Sequence, residues 1–143
     1  MSDLSNRLAM REQMLHEQTV RLNRENAALL TRAPDAWQAF KDAFRVECEA
    51  INDGTSFTRL KCEEPNAASF DVTRIPLSGL QIGALSFRFE PSIPRIAFDD
   101  LHNKKPRVYL EMSMDGYAVL FVRDGKALML PRFIEQCLEA VCL

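Results

Sequence analysis

Two Asp-Gly pairs, Asp115-Gly116 and Asp124-Gly125, stand seven residues apart within Arg107 to Leu130 and divide that stretch into three short apolar-rich runs. A two-residue Asp-Gly link between such runs favours a type I′ turn, which needs φ > 0 at both central positions and matches the twist of the flanking strands. The stretch therefore predicts a three-stranded antiparallel meander. Closing the first turn pairs Met114 with Tyr117, Met112 with Val119 and Leu110 with Phe121; closing the second pairs Phe121 with Leu128 and Val119 with Leu130. One face then collects Val108, Leu110, Met112, Val119, Phe121, Leu128 and Leu130. The other, with Tyr109, Glu111, Ser113, Ala118, Leu120, Val122, Ala127 and Met129, is mixed yet too apolar for open water, so cover is expected over part of both faces.

Ahead of the meander the pattern also has period two, with strands predicted at Ser56–Cys62, Ser69–Ile75, Leu80–Glu90 and Ile93–Phe98. In the third, Leu80 and Ile82 are out of phase with Leu85, Phe87 and Phe89, which predicts a bulge at Gly83. Pro91 and Pro94 cannot donate to a ladder and confine the fourth strand to a short piece at an edge or turn. After the meander, Pro131 starts a helix in which Phe133, Ile134, Cys137, Leu138 and Val141 form one wide apolar face that should dock on the sheet.

The N-terminal third is free of this alternation. From Leu4 to about Arg32 there is no Pro or Gly, and Arg, Glu, Gln, Leu, Ala and Met predict one long helix capped by Ser2 or Asp3. Leu8, Leu15, Leu22 and Leu29 recur every seven residues, while the companion a-type positions are Ser5, Glu12, Thr19 and Asn26. The seam is half apolar. One reading rests this stripe on the chain's own domain; the other gives it a partner, because a helix of roughly 27 residues spans about 40 Å, more than a domain this small requires. Pro34 suits the first turn of a second helix, in which Trp37, Phe40, Phe44, Cys48 and Ile51 form an aromatic core stripe that ends near Asn52-Asp53-Gly54.

The expected fold class is α+β: a long N-terminal helix and a second helix, an antiparallel meander of five to seven strands, and a C-terminal helix packed on the sheet. Residues 1–33 form the possible self-association segment, and residues 34–143 a single domain. The order of short antiparallel strands and a terminal helix is similar to that of pleckstrin-homology-type barrels, a likeness of order alone that assigns no function.

For 143 residues at 47% hydrophobic, one domain with a real core fits and a second does not. A net charge of -2 offers no overall field for polyanions, which argues against nucleic-acid and membrane-surface binding. The polar N-terminus is not of signal-peptide type and no run approaches the ~20 apolar residues of a membrane span, so a cytoplasmic location is expected. Cys48, Cys62, Cys137 and Cys142 form no CxxC pair and have no His at ligand spacing; no metal and no cofactor is expected, and the cysteines read as inert thiols, Cys48 and Cys137 in the core.

The most charged connection, Asp99 to Arg107, holds His102, Lys104, Lys105 and Arg107 and is the candidate contact surface beside the leucine stripe. No Gly-rich phosphate loop, GxSxG elbow, HExxH pair or spaced carboxylate set is present, which argues against an enzyme. The expected function is thus a non-catalytic protein-binding or adaptor module, with its N-terminal helix as the candidate route to a dimer. The alternative is a small-ligand-binding or enzymatic domain with a pocket in the sheet.

Overall fold

The computed structural model describes residues 2–56, 58–76, 83–101 and 105–142. Its first element is one helix, α1 (Asp3–Gly54), of 52 residues. Seven strands follow, β1 (Thr58–Asn66), β2 (Ser69–Pro76), β3 (Gly83–Glu90), β4 (Arg95–Asp100), β5 (Val108–Asp115), β6 (Ala118–Arg123) and β7 (Lys126–Ala127), and the chain closes with α2 (Leu130–Cys142). The strands form one antiparallel sheet in sequence order, so each pairs with its chain neighbour. The fold is α+β, with the sheet at seven strands. It is an open meander whose first and last strands are its edges, unlike the barrels whose element order it shares.

The predicted break at Pro34 does not occur. Pro34 lies inside α1, where it removes one backbone bond, to the Leu30 carbonyl. The ring faces solvent, where water can satisfy that carbonyl, and the buried Ala33 and Trp37 on either side pin the helix to the sheet. Packing therefore overrides a local preference that favours a new helix start.

Both helices lie on one face of the sheet. Phe40 and Phe44 of α1 are fully buried against Phe87 of β3, with ring centroids 5.2 and 4.9 Å away. Trp37 stacks between Phe40 and Phe89, and Phe98 stacks on Phe87 at 4.9 Å. From α2, Phe133, Ile134, Cys137, Leu138 and Val141 complete this core, as their spacing predicts. The approach of α2 to the sheet is close at Gly83, where a Cβ would lie 3.3 Å from Val141 Cγ1.

Three expectations about the sheet take a different form in the structure. The opposite face carries no helix among the described residues: Arg88, Glu111 and Ser113 are exposed there. Long side chains do the covering instead, since the Arg95 guanidinium lies 4.0 Å from the Tyr109 ring centroid and Ala97 beside them is only 2% exposed. Second, β5 and β6 pair Met112 with Phe121 and Met114 with Val119, so the turn is centred on Gly116-Tyr117. Gly116 has φ 62 while Tyr117 is not among the positive-φ residues, the signature of a II′ turn rather than I′. This displaces each predicted pairing by two residues, and because the side-chain period is two, every residue keeps its face. The second turn is as predicted, with Asp124 at φ 52 and Gly125 at φ 77 and Phe121 opposite Leu128. Third, Leu130 does not pair with Val119 but opens α2.

Strand limits differ modestly. β1 runs past Pro65 to Asn66 with an irregular register after Glu63, which an edge strand tolerates. Pro91 and Pro94 lie in the turn before β4, which extends to Asp100 and is an interior strand paired with β3 and β5 rather than the edge piece expected, because both prolines precede the ladder and leave its donors intact. Leu80 and Ile82, on which the expected bulge rested, lie outside the described residues.

Candidate functional site

The first half of α1 leaves the domain behind. Ser2 caps it by accepting from the Ser5 backbone N–H, Arg7 pairs with Asp3 at 3.4 Å, and the Thr19 hydroxyl donates to the Leu15 carbonyl at 3.0 Å. From Asn6 to Ala27 every residue is exposed. Leu8, Leu15 and Leu22 are 51%, 54% and 53% exposed, whereas Leu29 is half-buried against the margin of the core. Five helical turns take about 18 residues. Leu15 therefore stands above Ala33, and Leu22 above Phe40, on one side of the helix. The stripe is the outward continuation of the face that holds the sheet.

At the base of this arm, the Arg32 guanidinium donates to the Tyr117 carbonyl and lies 5.8 Å from the centroid of its ring. Arg32, Asp35, Ala36 and Ala39 form one wall of an open groove of about 510 Å³, and Tyr117, Val119, Leu120 and Leu128 form the other. Tyr117 is the most solvent-exposed of the large apolar side chains described, at 86%.

The charged connection divides differently from its sequence. Asp99 and Asp100 belong to β4, and Arg107 grips Asp99 through Nε and Nη2 at 3.0 and 2.9 Å. That carboxylate, through its hydrogen bonds first, raises the Arg107 pKa above the ordinary range. Arg107 is engaged within the fold. His102 and Lys104 lie outside the described residues. Lys105 is exposed at the rim of a pocket of about 170 Å³ between α2 and the sheet, near Asp100, Arg123, Gln136 and Cys137. Burial pushes the Cys137 thiol up to about 12, so it is protonated at neutral pH and poorly nucleophilic. All four cysteines are free thiols.

A cluster that sequence reading missed fastens α1 to the β1–β2 hairpin. Lys41 is 4% exposed, pairs with Glu64 at 3.2 Å and lies 5.2 Å from the Trp37 ring centroid. Arg45 also donates to Glu64 and lies over Phe70, and the Trp37 indole N–H donates to the Ala67 carbonyl at 2.8 Å. These hydrogen bonds, that of Arg45 foremost, hold the Glu64 carboxyl below its ordinary value. The available signal was Lys41 itself, a cation one residue past Phe40 on a stripe otherwise apolar.

Among the described residues no group of three His, Cys, Asp or Glu is placed to hold a metal ion, and no helix is long and apolar enough to cross a membrane. Compared with known proteins, the chain matches no protein-family model, no curated protein and no solved structure, and its functional reading rests on the geometry above.

Proposed function

We propose that the protein is a non-catalytic binding module in which the sheet domain, residues 34–143, is the scaffold and the arm, residues 1–33, is the contact element. One observation carries this reading: the seven-residue leucine repeat lies exposed on a helix that protrudes roughly 40 Å from its own core. Isolated helices are marginal in water and draw most of their stability from packing of an apolar face. A face left open at Leu8, Leu15 and Leu22 thus calls for another surface. The free thiols suit a reducing compartment, which supports placing the protein in the cytoplasm. Arm charges of both signs interleave, which favours a protein partner over a nucleic acid.

The second reading, a ligand pocket, draws on Asp100, Lys105 and Arg123 around the cavity at α2. At about 170 Å³ that cavity is smaller than the roughly 300 to 1,000 Å³ of typical ligand sites, and its thiol is protonated. The arm is the stronger candidate.

A photoreactive residue placed at Leu22, in protein expressed in its native cell, should cross-link to protein, whether a second copy or another chain. The same group at Arg88 on the open sheet face should not. Equal yields at both positions, or no adduct at Leu22, would contradict the proposal.

A further inference from the structure

Resting on that reading, we infer that the arm's partner is a second copy of this chain laid antiparallel along it. In this arrangement Leu15 meets the partner's Leu22, Leu8 meets the partner's Leu29, and the twofold axis passes between residues 18 and 19.

The orientation follows from where the sheet lies. The leucine stripe and the sheet share one side of α1, so two parallel helices meeting through their stripes would force both domains into the same gap below Ala33. Reversing one helix places the domains at opposite ends. The start of α1, capped by Ser2, fits this arrangement. With Leu15 opposite the partner's Leu22, Leu4 comes opposite the partner's Ala33, the first buried residue of α1. The first turn of each α1 then lies where the other copy's sheet begins, beside the groove at Arg32 and Tyr117. An overlap about 40 Å long can supply on the order of the ~800 Å² per partner that stable interfaces bury.

Charge selects the same orientation. Arg11 and Glu25 flank the stripe on one side, and among the described residues neither forms an ion pair within its own chain. Antiparallel pairing brings Arg11 within one residue of level with the partner's Glu25, on the same flank of the seam, twice by symmetry. Parallel pairing would separate those charges by about three to four turns and set Glu12 against its own copy in the seam, where like charges are unfavourable.

Sedimentation equilibrium on the full-length chain tests this with charge reversal. The wild type should be a dimer at micromolar concentration. Arg11→Glu or Glu25→Arg alone should weaken it by about tenfold, as two contacts per dimer turn repulsive, and R11E/E25R together should recover most of the loss. A wild type monomeric to about 100 μM, far above the micromolar range of a specific pair, would overturn the second-copy assignment. So would a double variant no tighter than the singles. In either case a Leu22 cross-link to another protein would leave the arm as the contact element. A dimer that survives Leu15→Ser with Leu22→Ser would instead remove the arm from the interface and overturn both.

Discussion

Lys41 is a buried cation whose partner comes from β1, and the arrangement sets how stability responds to pH. Replacing Glu64 by Gln strips the Lys41 ammonium of its carboxylate. The cost should be about 1 kcal/mol, below the 3 to 5 kcal/mol of a fully buried pair, because Glu64 itself is about one-third exposed at its side chain. The folded-state pKa of Glu64 lies below its ordinary 4.5, so its contribution is complete above that value and fades as pH falls through the folded one. Denaturant midpoints of wild type and Glu64→Gln should therefore differ at pH 7 and converge as pH falls well below 4.5. A gap that persists undiminished in acid would show that Glu64 acts through packing rather than charge. Sequence could flag Lys41 on the aromatic stripe. It could not name Glu64, which reaches it only after 22 intervening residues have formed the end of α1 and β1.

At the scale of elements, α1 carries the largest departure from local rules. Proline at a helix start is favourable, and in a helix interior it costs about 3 kcal/mol. The continuous helix therefore gives a signed expectation for Pro34→Ala: stability should rise, by on the order of 1 to 3 kcal/mol, with more helical signal in circular dichroism. A fall would indicate that Pro34 begins a separate helix. The meander was legible because alternation fixes faces regardless of exact register, which is why Val108, Leu110, Met112 and Phe121 point inward although the first turn sits one residue later than Asp115-Gly116 suggests. Turn type was not legible there, since Gly116 can take the first or second central position and Tyr117 accepts the negative φ of a II′ turn. The extent of α1 was hidden for a related reason: Pro34 is judged locally as a start signal, while Ala33, Trp37 and Phe40 hold it in place from the sheet. The leucine stripe was visible in the sequence, but its alignment with the core face emerges only from an unbroken helix.

Across the whole molecule, α1 divides into two regimes. From Ala33 to Cys48 it is held by an aromatic core, and from Asn6 to Ala27 no residue is buried. Local stability should follow that division, because amides protected only by an isolated helix open far more readily than those packed on a sheet. Hydrogen exchange followed by mass spectrometry across a dilution series reads both regimes at once. The amides of residues 33–48 should be protected equally at every concentration, while those of residues 6–27 should be protected in concentrated samples and exchange nearly freely on dilution. Arm amides as protected as the core at all concentrations would contradict the account, since the first half of α1 would then be stable without a second chain.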